Sequence, residues 1–259
     1  MFFETRGSGT PVLAIHGWTP DHRLMLGCLE PLFSRLPDPY RRLYPDLPGM
    51  GRTPAGEDIA SSDDILAALD AFVTEHIGTE PFLVVGESYG GYMARALARL
   101  RRPQVRGLAL ICPIGVAVEH AERTVPPHAI LHAEPGAETG ADPDFLEMAV
   151  VRTHETRRRY EAEIQPGVQA ADLDAMARIR KRWTLSTPPE SGPAFDRPTL
   201  ILAGRQDQVT GYQDQYELLP HYPRATYAVL DMAGHNLQIE QPALFDALMT
   251  DWLARTAQP

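Results

Sequence analysis

The stretch that most restricts the fold is Pro81-Phe-Leu-Val-Val-Gly-Glu-Ser-Tyr-Gly-Gly-Tyr-Met-Ala-Arg-Ala-Leu-Ala98. Phe82 to Val85 is a short, continuous apolar run with two β-branched residues, the pattern of a strand covered on both faces. Beyond Ser88 the period changes, and Tyr92, Met93, Ala96, Leu97 and Leu100 recur at helical spacing. Ser88 therefore sits in a hinge between strand and helix. Gly86 and Gly90, two residues to either side, remove the Cβ atoms that so tight a turn would bring into collision. Such a turn holds the serine side chain outward and aims the new helix's free N–H groups at any oxyanion formed there. Gly-x-Ser-x-Gly recurs by chance, so it is the strand before it and the helix after it that make Ser88 a candidate nucleophile.

The same alternation runs along most of the chain. Apolar runs at Val12–Ile15, Val105–Cys112, Thr199–Ala203 and Thr226–Leu230, with a weaker one at Arg42–Pro45, read as further strands. Between them, Leu24 to Leu36 and the segment beginning at Ser61-Ser-Asp-Asp64, which has the shape of a capping box, read as helices. A closing helix carries Leu244, Phe245, Leu248, Met249 and Trp252 on one face. Alternating strands and helices predict an α/β fold: a mostly parallel central sheet flanked by helices, with reactive groups gathered at the carboxyl ends of the strands. Phe2–Arg6 leads almost at once into Val12–Ile15, so the sheet is expected to be short at its N-terminal edge.

Residues 114–194 break the pattern. They show no strand-like run, several Pro and Gly turns, and charged helical segments such as Ala170–Trp183, where Leu173, Met176, Ile179 and Trp183 make a narrow stripe. The expected division is a core of residues 1–113 and 195–259 with an all-helical lid, or cap, at 114–194 that shapes the pocket and excludes water. The run Arg157-Arg158-Arg159 and the cations from Arg178 to Arg182 read as solvated helical faces.

Composition closes off several classes of function. A net charge of −10 over 259 residues argues against nucleic acid and anionic membranes as partners and leaves a small-molecule substrate. No apolar run reaches the roughly 18 residues of a membrane span, and Met1-Phe-Phe-Glu-Thr-Arg lacks a basic stretch followed by an apolar one, so a cytoplasmic location is expected. Cys28 and Cys112 are isolated, the pattern of buried, reduced thiols. His120-x-Glu122 and His132-x-Glu134 lack the companion cysteines or histidines of a zinc site, and no phosphate-binding or dinucleotide fingerprint occurs. Neither metal nor cofactor is expected.

A serine hydroxyl needs a base to take its proton as it attacks, and histidine backed by a carboxylate is the natural choice. Asp207 and His235 each lie just past a late predicted strand, which puts both at the same sheet edge as Ser88, in the order Ser, Asp, His. Rivals fit less well: Asp231 is on the wrong connection, Asp196 precedes its strand, and Asp214 falls within a helix. His120, His128, His132 and His154 all belong to the 114–194 segment.

With these residues in place the sequence resembles the α/β-hydrolase fold superfamily, and within it the lid-bearing esterases, lactonases and C–C hydrolases. His16-Gly17-Trp18 is similar to the family's oxyanion loop, and Asp46-Leu-Pro-Gly-Met-Gly-Arg-Thr53 to its Asp-x-Pro-Gly loop. Gly86–Gly91 matches its nucleophile elbow, and Gly204-Arg-x-Asp207 with Gly234-His235 its acid and base positions. The resemblance implies a serine hydrolase that cleaves an ester or related acyl bond through an acyl-enzyme at Ser88. His235 would be base then acid, Asp207 its orienter, and the backbone N–H groups of Trp18 and Tyr89 the oxyanion donors. Trp18, Tyr92 and Trp183 are expected as pocket walls, and His16 as structural. C–C or amide hydrolysis by the same triad remains open, as does a ligand-binding relative that barely turns over. Glu87 departs from the histidine that many relatives carry before the nucleophile, and an ion pair with a nearby arginine is the expected outcome. Ser88 in place of an aspartate excludes the alkyl-enzyme chemistry of the epoxide hydrolase and dehalogenase relatives.

Overall fold

The computed structural model describes residues 1–36 and 39–258; Pro259, the last residue of the expected core, lies outside the described residues. Strands β1 (Phe3–Arg6) and β2 (Thr10–Ile15) are followed by helix α1 (His22–Phe33), β3 (Tyr40–Pro45), α2 (Ser62–His76), β4 (Phe82–Glu87), α3 (Tyr89–Leu100) and β5 (Val105–Ile111). Next come β6 (His132–Ala133), α4 (Pro143–Met148), β7 (Val151–Arg152), α5 (His154–Glu163), α6 (Gln165–Ala170) and α7 (Leu173–Arg180). The chain finishes with β8 (Thr199–Gly204), α8 (Tyr212–Tyr216), β9 (Ala225–Leu230), α9 (Leu237–Glu240) and α10 (Pro242–Thr256).

Seven strands form the central sheet in the order β1-β3-β2-β4-β5-β8-β9, and every neighbouring pair is parallel except β1 with β3. Helices on both faces bury β2 and β4 almost end to end, which is why Val12–Ile15 and Phe82–Val85 are continuous apolar runs instead of alternating ones. Burying each such side chain is worth roughly 1.5–3 kcal/mol over leaving it in water. The chain crosses from β2 to β3 on one side and then returns to place β4 on the other. The order thus reverses between β2 and β4, and the carboxyl ends of those two strands open the crevice where α/β sheets receive their ligands. The N-terminal edge is one four-residue strand, β1.

α2 begins where the capping pattern placed it: the Asp64 N–H donates to Ser61 Oγ at 3.2 Å, while the Asp64 carboxylate accepts from the N–H of Ala60 at 3.0 Å, one residue upstream of the usual partner. At three helix ends the apolar period overruns the core, and Leu100, Leu173 and Leu244 are exposed. Among the described residues no helix is long and apolar enough to cross a membrane.

Residues 114–194 differ from expectation in two ways. They are not all-helical, because β6 and β7 pair in parallel over two residues each, too short to leave a signal in sequence. Nor are all of the arginines solvated: Arg158, Arg180 and Arg182 keep exposed side chains, but Arg157, Arg159 and Arg178 are partly buried. Arg157 and Arg159 pair with Glu161 and Glu163 on their own helix, and Arg158 pairs with Glu155. Arg159 also donates to the carbonyls of Gln238 at 2.9 Å and Gly27 at 3.4 Å, and Arg178 to those of Ile59 at 3.1 Å and Gly56 at 2.9 Å. Arginine's fork of donors suits this use: Gly56 and Ile59 lie in a loop, Gln238 in the last turn of α9, and Gly27 four residues before Pro31, which has no N–H to offer it. The segment is stapled over the carboxyl edge of the sheet.

Candidate active site

Ser88 directly follows β4 and caps α3 with φ 53° and ψ −116°, a left-handed backbone that a serine adopts only under constraint. The constraint is close packing. A Cβ at Gly90 would stand 2.3 Å from the carbonyl oxygen of Ile15, and one at Gly86 would stand 2.3 Å from that of Gly90. Glycine at both positions lets α3 start against β2, and the serine is thrust up at the rim of the sheet.

The three residues drawn from separate loops meet there. His235 Nε2 lies 2.9 Å from Ser88 Oγ, and its Nδ1 lies 3.1 and 3.2 Å from the two carboxylate oxygens of Asp207. A neutral imidazole with its proton on Nδ1 satisfies both contacts at once. Asp207 is wholly buried and accepts from the N–H groups of Val209 and Thr210 and from Thr210 Oγ1 at 2.6 Å. Burial alone would raise its pKa, but the facing His235 and the Thr210 donors hold it down at about 2. His235 is pushed the other way: burial disfavours its charge, but the Asp207 carboxylate and its hydrogen bond, with Glu87 when that carboxyl is ionised, raise it above the ordinary histidine value.

The rival acids are elsewhere. Asp231 is exposed and bound to Gln206 Nε2, Asp196 is exposed beside Arg102, and Asp214 accepts from the Thr124 N–H. His16 is a buried structural bridge, with Nε2 accepting from the Leu47 N–H at 2.9 Å and Nδ1 2.8 Å from the Gly17 carbonyl. Asp46 accepts from the backbone N–H groups of His22 and Arg52, which ties the Asp46–Thr53 loop beside it. Cys112 lies close to Asp207 and His235, but burial first and the Asp207 charge second keep its thiol protonated.

Two cavities open on Ser88 and His235, with Trp18 and Met148 in the walls of both. One, of about 300 Å³, is bounded by Ile114, Val209 and Trp183, with Arg123, Arg180 and Glu119 towards its rim. The other, of about 310 Å³, runs between Leu24, Tyr160, Ile164 and Val168 and has Glu87 in its wall. Trp183 stacks edge-on against Trp18 with centroids 4.9 Å apart, and Tyr89 lies 4.7 Å from Trp183 and 5.0 Å from Trp18. Trp18 and Trp183 are in the cavity walls. Tyr92 is not: it lines neither cavity, is buried under the 114–194 segment, and its hydroxyl accepts the Leu185 N–H at 2.9 Å. Helical spacing put it one turn along from the nucleophile, and that turn already lies beneath the site. Trp18 follows β2 and Tyr89 opens α3, so their backbones flank Ser88 from the two strands at which the sheet order reverses.

Glu87 overturns the expected ion pair. Among its described contacts there is no arginine; the carboxyl is 2 % exposed, accepts from the Gly17 N–H, and has Oε1 3.4 Å from His235 Nε2. A Cβ at Gly17 would sit 2.3 Å from its Oε2, so the glycine of the His-Gly loop makes the space this carboxyl fills. The next-residue position was the only signal of its place in the site. Thr210, whose hydroxyl braces Asp207, left none.

Three comparisons bear on this arrangement. The sequence pattern of the "Alpha/beta hydrolase family" matches residues 12–248. Among curated proteins, the chain is 28% identical to 2-hydroxymuconate semialdehyde hydrolase of Pseudomonas sp. (strain CF600), over 96% of this chain and 88% of that protein. It is 34% identical to Lipase LipV of Mycobacterium tuberculosis (strain ATCC 25618 / H37Rv), over 68% of this chain and 62% of that one. Among solved structures, an alpha/beta superfamily hydrolase from Oenococcus oeni PSU-1 superposes with a TM-score of 0.91 at 31% identity, covering 99% of this chain and 96% of that one.

Proposed function

The chain belongs to the alpha/beta hydrolase family and is a hydrolase, and from that premise we propose that it cleaves an ester or related acyl bond of a small substrate through an acyl-enzyme at Ser88. The observation that carries this reading is the unbroken line from Ser88 Oγ through His235 to Asp207 at 2.9 and 3.1 Å. Ser88 attacks the carbonyl as His235 Nε2 takes its proton; Asp207 fixes the imidazole's tautomer and stabilises the imidazolium; the imidazolium gives up that proton as the leaving group departs protonated, and water repeats the sequence on the acyl-enzyme. The oxyanion falls to the backbone N–H groups of Trp18 and Tyr89, donors worth about 3 kcal/mol each in comparable sites. Residues 114–194 serve as the lid that walls both cavities and keeps water from the intermediate.

A fluorophosphonate followed by intact mass and peptide mapping tests the reading. One adduct is expected at Ser88, with none in Ser88→Ala and ester turnover lost in that variant. Full ester turnover by Ser88→Ala overturns it.

A second reading is favoured by the name of one relative. The same three residues support hydrolysis of a C–C bond, and 2-hydroxymuconate semialdehyde is the compound named for that relative. A panel containing it alongside simple esters, lactones and amides separates the two readings by the ratio of kcat/KM.

A further inference from the structure

The acyl transfer at Ser88 leaves one buried carboxyl of the site without a task. Glu87 ends β4 immediately before the nucleophile, lies 3.4 Å from the imidazole nitrogen that bonds Ser88 Oγ, and is 2 % exposed. Its described donor is a single backbone N–H, that of Gly17, and among the described residues no cation stands beside it except His235 itself. A buried carboxylate so thinly supported costs more than the neutral acid, so the group keeps its proton up to about pH 7. The ionisable groups around it are His235 and Asp207 in the site, Cys112 and Cys28 beneath, and Asp144 and Glu147 across the cavity. Every neighbour but His235 is neutral or negative, and all of these disfavour a second charge.

The position is also one-sided. Ser88 and His235 border both cavities, but Glu87 borders only the one between Leu24 and Ile164. A proton donor confined to one cavity marks that cavity as the seat of the group that must leave with a proton.

Building on the serine-hydrolase reading, we propose that Glu87 is a further catalytic residue, a proton carrier that protonates the leaving group held in the Leu24–Ile164 cavity. Ser88 Oγ bonds to the acyl carbon and its proton passes to His235 Nε2. As the tetrahedral intermediate collapses, the bond from acyl carbon to leaving atom breaks, and that atom departs with the electron pair and takes the proton of the Glu87 carboxyl. The imidazolium then returns its Nε2 proton across to Glu87. Nothing is consumed beyond the substrate: the Glu87 proton ends on the product, the serine's proton replaces it on Glu87, and His235 is free to activate water.

The test exploits leaving groups that differ in their need for a proton. A p-nitrophenolate leaves readily as an anion; an alkoxide does not. In Glu87→Gln, which keeps an acceptor for the Gly17 N–H but carries no transferable proton, kcat/KM for an alkyl ester is expected to fall roughly 100-fold further than for the p-nitrophenyl ester of the same acid, the low end of what a positioned acid contributes. A merely structural role lowers both alike, and equal losses overturn the proposal. The wild type gives a reading that does not depend on the variant folding: above about pH 7, where Glu87 ionises, the alkyl ester's kcat/KM is expected to decline relative to the p-nitrophenyl ester's. A ratio flat from pH 6 to 9 also overturns it. Fluorophosphonate labelling of Ser88 expels fluoride, which needs no proton. Failure of wild-type labelling therefore falls on the serine-hydrolase reading, and the leaving-group ratio tests Glu87 separately.

Discussion

Glu87 carries an acid where water scarcely reaches, and its effect on stability follows from that. Burial raises its pKa from 4.5 to about 7; the attraction of His235 and the Gly17 N–H oppose the rise and the Asp207 charge adds to it. The native chain therefore holds a proton that the unfolded chain has released between about pH 4.5 and pH 7. The stabilisation is full below that window and drains away as pH rises through it. Glutamine removes the titration. The Tm of Glu87→Gln minus that of the wild type is expected to shift in the variant's favour between pH 5 and pH 7.5, read by scanning calorimetry, and a difference independent of pH contradicts a raised pKa. Asp207 obeys the opposite sign, its stabilising ionisation being lost only as pH falls from about 4 towards 2.

At the scale of elements, the arginines of α5 and α7 do the joining. Arg178 spans from α7 to the carbonyls of Gly56 and Ile59 ahead of α2, and Asp172 caps α7 while its own N–H donates to the Gly49 carbonyl at 2.9 Å. Arg178→Ala is expected to cost roughly 1.5–3 kcal/mol, the usual worth of hydrogen bonds to a charged group, seen as a lower urea midpoint together with faster protease cleavage within 114–194. Unchanged cleavage means α7 is held by other contacts. These joints explain which features sequence could disclose. Strands and helices with a long apolar period, the serine hinge and the capping serine all leave repeating or local signals, and they stand where they were expected. What pairs across the fold leaves none: Arg157, Arg159 and Arg178 look solvated until their carbonyl partners are placed, Tyr92 looks like a pocket wall until Leu185 is laid on it, and two-residue strands such as β6 and β7 are shorter than any period. Glu87 was visible as an oddity of type, but its partners, Gly17 and His235, come from loops about 70 and nearly 150 residues away.

For the molecule as a whole, the reversal of strand order between β2 and β4 and the segment stapled above it leave two cavities, of about 300 and 310 Å³, that touch at Ser88, His235, Trp18 and Met148. Met148 ends α4, lines both cavities and is the flexible member of that group, which makes it the candidate for the partition between them. Met148→Ala is expected to join the cavities and to raise kcat/KM several-fold for branched acyl groups that the wild type rejects, measured over a series of p-nitrophenyl esters; an unaltered series shows that the partition lies elsewhere. While the partition stands, the two arms of a substrate are judged in separate chambers. Preferences for one arm and for the other should then multiply: a grid of esters made by crossing several acids with several alcohols would reduce to one row of factors times one column, and a screen of only its margins would rank every cell within it.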